Sequence, residues 1–161
     1  MNFNTFLYYG AFAFILTCAA WCMYKISIAD WRRRIIPDAY LFPLMIMGLV
    51  VTSFFPWSNN IYDAIIGGAF GYVMAAGIGF IFDHVIRRKN PDAIPPIGMG
   101  DIKLIFTGGI WLGTGGLAWA LALACIGGAI WGRRTHQHYI PFAPFFVIAG
   151  ILSFIINTFL L

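Results

Sequence analysis

Glutamate is absent from this sequence, so its acidic side chains are six aspartates: Asp30, Asp38, Asp63, Asp83, Asp92 and Asp101. Charge of either sign is scarce. Charged residues make up 10% of the chain, against about 25% in an average soluble domain. Hydrophobic residues reach 61% and aromatics 18%, gathered into long apolar runs. That pattern excludes an ordinary soluble fold and reads as an integral membrane protein. Cysteine is limited to Cys18, Cys22 and Cys125, all in apolar stretches and none in a CxxC pair. Neither a disulfide framework nor a zinc site is implied; they read as small buried hydrophobes. The N-terminus, "MNFNTFLYYGAFAF", lacks the basic start of a secretory signal. Its apolar run also outlasts the usual ~7–15 residues of such a signal, so it is expected to remain as a membrane span.

Apolar runs predict spans at about 5–29, 39–55, 62–85, 98–113, 115–132 and 141–160. Lipid admits only helices or closed barrels, and these runs lack the period-2 alternation of strands. The expected fold class is therefore an all-α integral membrane protein of about six transmembrane helices in one domain. The fourth run, "GMGDIKLIFTGGIWLG", is short and glycine-rich and is expected to be thin, tilted or partly irregular. All 10 Lys and Arg residues fall on one side of this frame. Lys25 and Arg32–Arg34 follow the first span, Arg87, Arg88 and Lys89 the third, and Arg133 and Arg134 the fifth, while Lys103 lies near the start of the fourth. The opposite loops carry none. By the positive-inside rule the basic side is cytoplasmic and both termini are on the non-cytoplasmic side. The net charge of +4 then belongs to loops that face anionic headgroups, and no nucleic-acid partner is expected.

An ionisable residue within a span costs roughly 2.5–3.5 kcal/mol on insertion scales, so each needs a cap, a partner or a job. Asp63 reads as an N-cap or interfacial residue, Asp38 as a cap where the second span begins, and Asp92 as a solvated turn residue. Asp83 and His84 close the third span, where His84 complements a helix C-terminus. The HxH of His136 and His138 has no third ligand nearby and reads as a soluble loop. Ser27, Ser53, Ser58 and Ser153 have no GxSxG elbow.

Asp30 and Asp101 remain, 71 positions apart, each at the cytoplasmic boundary of its span. Two readings stay open. In one, the carboxyls share a proton: the charged member deprotonates a water and the neutral one hydrogen-bonds to a scissile carbonyl. Gly98 and Gly100 then let an extended substrate backbone approach. In the other, the glycines permit a tight helix start and Asp101 is a cap. Lys103 lies about 200° around the helix from Asp101 and is expected to snorkel to the headgroups. Helix ends favour Asp101, near an N-terminus, as the ionised base over Asp30, near a C-terminus, although Arg32–Arg34 push the other way.

Three segments in order resemble one family. "GMGDIKL" resembles the GxGD motif of type IV prepilin peptidases, which are membrane aspartic proteases. "DWRRRIIPD" is similar to that family's first aspartate segment, an Asp followed by basic residues and then Ile/Leu-Pro-Asp/Asn. "IPFAPF" is similar to the Pro-Phe-Gly-Pro stretch that opens the last span, with Ala143 where glycine is usual. The resemblance implies an aspartic endopeptidase of the bacterial inner membrane that removes the short basic leader of prepilins or pilin-like proteins at the cytoplasmic face. It implies catalytic roles for Asp30 and Asp101, substrate approach at Gly98 and Gly100, and supporting places for Lys103 and Asp38. It calls for no metal or other cofactor, and it makes residues 1–161 a single membrane-embedded peptidase domain. Larger members carry an N-terminal zinc domain with two CxxC pairs that accompanies N-methylation. This chain resembles a minimal form without it, and methyltransferase activity is not expected. "IPFAPF" is assigned nothing beyond starting the last span, which Pro141 suits. Two other classes stand beside this one: a small transporter or proton-conducting subunit using Asp30, Asp83 and Asp101, and a non-enzymatic pilus or secretion assembly factor. Neither accounts for "DWRRRIIPD" and "IPFAPF".

Overall fold

A computed structural model describes residues 3–55, 57–87, 97–135 and 140–159, and every regular element among them is helical. Helix α1 (Phe3–Arg33) contains no proline and runs unbroken for 31 residues. It stops where Arg34 turns left-handed, at φ 56, with its N–H donating to the Asp30 carbonyl at 2.9 Å. This is an αL cap made without glycine, a conformation that costs other residues about 1–2 kcal/mol. Pro37 then starts helix α2 (Asp38–Phe54), which carries Pro43 in its interior.

Helix α3 (Ile61–Phe82) buries Ala64, Gly67, Gly68, Gly71 and Ala75, small residues on one helical face. A turn of π-helix, Asp83–Arg87, extends it. Small residues let the backbones close up: a Cβ on Gly67 would lie 2.7 Å from the Gly109 carbonyl oxygen of helix α4 (Met99–Thr135). Helix α4 is interrupted at Gly113, where φ 69 and ψ −175 are not helical. Ile105 and Leu117 show what the interruption does. Their methyls come within 3.0 and 2.8 Å of where a Gly71 Cβ would stand, yet a straight helix would set the two residues about 18 Å apart. So α4 is a hairpin of two arms, 99–112 and 114–135.

The bend is held from the loop before α3. Trp57 Nε1 donates to the Trp111 carbonyl at 2.8 Å and Asn59 Nδ2 to the Ile110 carbonyl at 3.2 Å, which serves the C-terminal end of the first arm. Asp63 Oδ1 accepts the N–H and the hydroxyl of Thr114, at 3.2 and 2.9 Å, and so caps the second arm. Asp63 is not the N-cap of its own helix, because Asn60 fills that place and accepts the Asp63 N–H at 2.9 Å.

Helix α5 (Phe142–Phe159) completes the bundle, with buried Ser153 donating to the Gly116 carbonyl at 2.7 Å. Helix α1 packs on α2 and α5, and α4 packs on α2, α3 and α5. An apolar groove runs between α1 and α4, lined by Ala19 and Met23 on one side and by Leu104 and Gly108 on the other. Because α4 folds back, its start and its end lie beside the end of α1: the Trp31 and Trp131 rings are 5.3 Å apart. Arg32, Arg33, Arg133 and Arg134 are exposed at this end. Three helices are long and apolar enough to cross a membrane, α1, α3 with its π-turn, and α4, while α2 and α5 are shorter apolar helices. Large apolar side chains such as Phe14, Val73 and Phe80 face outward, as a lipid-solvated surface requires.

Candidate active site

Asp30 lies in the last turn of α1 and is 5% exposed. Its Oδ2 accepts the N–H of Ala143 at 2.8 Å, a buried bond across 113 positions of sequence. Ala143 is in the first turn of α5, so the carboxyl serves one of that helix's orphan donors and sits on the positive end of its dipole. The local sequence singles this donor out. Pro141 and Pro144 have no N–H, which leaves only Phe142 and Ala143 to donate between them. The charge of Arg34, at the left-handed end of α1, also acts on Asp30.

Asp101 occupies the first turn of α4, and its Oδ2 accepts the Gly98 N–H at 3.1 Å. That bond is the reach-back half of a capping box. The two readings of Asp101 therefore coexist. It caps its own helix, and it also lies near enough to Asp30 for the two charges to interact. At both residues one carboxyl oxygen is tied to a backbone N–H at a helix start, which fixes how the carboxyl is turned.

The other residues of interest fall close by. A Cβ on Gly100 would lie 3.0 Å from the Cβ of Ile36, so this glycine lets the "GMGD" turn touch the "IIPD" segment directly. Gly98 is exposed. Lys103 does not extend freely towards headgroups: its Nζ donates to Asp38 at 2.8 and 2.9 Å and lies 5.6 Å from the centre of the Phe42 ring. Asp38 in turn is not the cap of α2, whose N-cap is Pro37 with no side-chain bond.

Ser27, Ser53 and Ser153 spend their hydroxyls on backbone carbonyls. Asp83, which a proton relay would need, is exposed in the π-turn, and the His84 ring stacks on Phe80 at 5.9 Å. Among the described residues no three His, Cys, Asp or Glu side chains group as metal ligands. Asp92, Arg88, Lys89, His136 and His138 lie outside the described residues. Sequence reasoning missed the bond from Ala143, because a backbone donor has no letter of its own; the two flanking prolines were the available signal. It also missed the Trp31–Trp131 pair next to Asp30.

Residues 14–133 match the Type IV leader peptidase family. Among curated proteins, the chain is similar to the prepilin leader peptidase/N-methyltransferase of Xanthomonas campestris pv. campestris, 30% identical over 90% of this chain and 50% of that protein. Proteins of the same name from Pseudomonas putida and Pseudomonas aeruginosa are each 29% identical, over 90% and 83% of this chain and 51% and 46% of theirs. The chain thus spans about half the length of the curated relatives it matches. No solved structure matches it.

Proposed function

Since the chain belongs to the type IV leader peptidase family, we propose that it is a membrane aspartic endopeptidase that removes the basic leader of a prepilin or pilin-like protein, with Asp30 and Asp101 as the catalytic pair. What supports this reading is the placing of both carboxyls at one end of the bundle, each turned by a backbone N–H and near enough for their charges to interact. Two like charges that close share one proton. Both carboxyls hold a backbone N–H at a helix start, but only Asp30 also has the charge of Arg34, so Asp30 is the carboxylate and Asp101 holds the proton. This reverses the assignment drawn from helix ends alone, which left out the start of a second helix.

In the reaction Asp30 takes a proton from water as the water oxygen attacks the scissile carbonyl carbon, and Asp101 gives its proton to the carbonyl oxygen. The tetrahedral intermediate then collapses: the C–N bond breaks, the leaving nitrogen takes the proton from Asp30, and Asp101 recovers its own from the gem-diol. The pair ends as it began. The proposal is confined to peptide cleavage.

Its setting is a single domain over residues 1–161 that crosses the inner membrane six times, the two arms of α4 counting separately. The end bearing Arg32–Arg34, Arg133 and Arg134 is cytoplasmic and contacts anionic headgroups, and both termini lie on the other side. The test is incubation of the detergent-purified protein with a prepilin, followed by mass analysis of the product. Loss of the intact leader is the expected result, and an untouched substrate refutes the reading.

A further inference from the structure

Resting on that reading, we propose that the apolar groove between α1 and α4 seats one large apolar side chain from the substrate segment that follows the scissile bond, and so selects substrates at a point the carboxyls never touch. The groove has a volume of about 180 Å³. It continues the face that bears the aspartates. On α1 its walls are Met23 and Ala19, about two and three turns before Asp30; on α4 they are Leu104 and Gly108, about one and two turns after Asp101. On α5 they are Phe146 and Gly150, about one and two turns after Ala143. A chain with its peptide bond between the carboxyls therefore has this groove directly beneath it, leading away from the arginines.

The chemistry of the walls defines the occupant. Thr107 Oγ1 donates to the Lys103 carbonyl, Trp57 Nε1 to the Trp111 carbonyl and Trp111 Nε1 to the Leu44 carbonyl, so the polar side-chain groups in the lining are already spent. Only an apolar group enters at no cost. Size narrows it further. An apolar cavity of about 150 Å³ holds a benzene ring, whereas a helix with its side chains is about 10–12 Å across. The groove of 180 Å³ accordingly admits one aromatic or branched side chain and no complete helix. Trp57 lines it too, stacked on Phe154 at 4.7 Å and edge-on to Trp111 at 5.5 Å. A seat of this volume, walled by rings, suits one side chain better than a lipid tail.

Gly150 allows the seat to be filled from within. A Cβ there would meet only Leu112 Cδ1, at 3.5 Å, an ordinary contact. Gly150→Leu should raise KM for the prepilin about tenfold and leave kcat within about twofold, the signature of lost uniform binding. Gly10→Leu, where nothing lies within 4 Å of an added Cβ, adds equal bulk outside the groove and should leave KM as it is. Shrinking one large apolar residue of the substrate's first turns after the cleavage site to Ala should raise KM with the parent enzyme and lower it with Gly150→Leu. Unchanged melting temperatures exclude misfolding as the cause. If Gly150→Leu cleaves every such substrate with the parental KM, or if its KM depends on the acyl chains of the surrounding lipid and on no substrate residue, the seat is not for the substrate. A parent protein that cleaves no prepilin would instead remove the catalytic reading on which the seat depends.

Discussion

The two ends of the bundle use aspartate in the same elementary way and to different ends. At the bend of α4, Asp63 accepts both donors of Thr114 on a single oxygen, and neighbouring Trp57 and Asn59 cover the carbonyls of the other arm. Each of these hydrogen bonds closes a gap in the backbone. At the basic end, Asp30 and Asp101 also accept backbone N–H groups at helix starts, but they come from two different helices and lie near enough for their charges to interact. A capping bond by itself therefore says nothing about catalysis. What separates the two ends is whether a second carboxyl shares the place and whether a substrate has room to enter.

The largest effect that tests this contrast compares the three aspartates directly. Asp30→Asn and Asp101→Asn should each lower the rate of leader removal by about a thousandfold or more, since each removes one proton-transfer partner. Membrane insertion and melting temperature should stay near the parent's. Asp63→Asn should do the reverse, costing about 1 kcal/mol of stability as a weakened cap while cleavage stays within about threefold. A prepilin assay alongside thermal unfolding in detergent reads both. Should Asp63→Asn be as inactive as Asp101→Asn while still folded, the division between the ends fails.

An intermediate effect is expected at Ala143. Replacing the Phe142–Ala143 amide by an ester removes the N–H while keeping every side chain, and it should lower kcat about tenfold with little change in KM, a loss typical of one hydrogen bond to a charged group. Ala143→Pro removes the same donor through the ring. Ala143→Gly keeps the N–H and should cleave at close to the parental rate. Equal activity in the ester variant would mean that α5 merely passes by Asp30 without setting it.

Helices were the legible part of this sequence, because lipid leaves a long apolar run little else to become. The break at Gly113 was legible as well, as a cluster of glycines between two apolar runs, and its φ of 69 explains why a residue without Cβ stands there. Cross-helix partners were not. The spacing of Asp30 and Asp101 carries no distance, since the 70 intervening residues fold back more than once. Setting the other aspartates aside left those two with a pair and a cap as open readings, and the resemblance of "DWRRRIIPD" and "GMGDIKL" to a known family chose the pair. Asp63 was read as an N-cap or interfacial residue and Asp38 as a cap, because local order is all that a sequence shows. In the fold, Asn60 and Pro37 hold those positions, and both carboxylates reach across to α4 instead.

The smallest effect belongs to Lys103 and Asp38, which lie near the two proposed catalytic aspartates in sequence and outside the proposed chemistry. Their contact is close, at 2.8 Å, but the side chains are 36% and 48% exposed, so water screens it. Exposed pairs of this kind contribute about 0–1 kcal/mol. The pair ties the first residue of α2 to the arm of α4 that carries Asp101, and the tie is supplemented by buried Leu41, Leu44, Leu104 and Ile105 in the shared core. Lys103→Met keeps the apolar stem against Phe42 while removing the charge, and it should lower cleavage by no more than about threefold. Exchanging the two charges, Lys103→Asp with Asp38→Lys, should return activity towards the parent's if attraction alone matters, and added salt should shrink the difference between parent and Lys103→Met. If Lys103→Met instead abolishes cleavage as fully as Asp101→Asn, the ammonium is part of the reacting cluster, and the basic end holds a triad where two carboxyls are proposed.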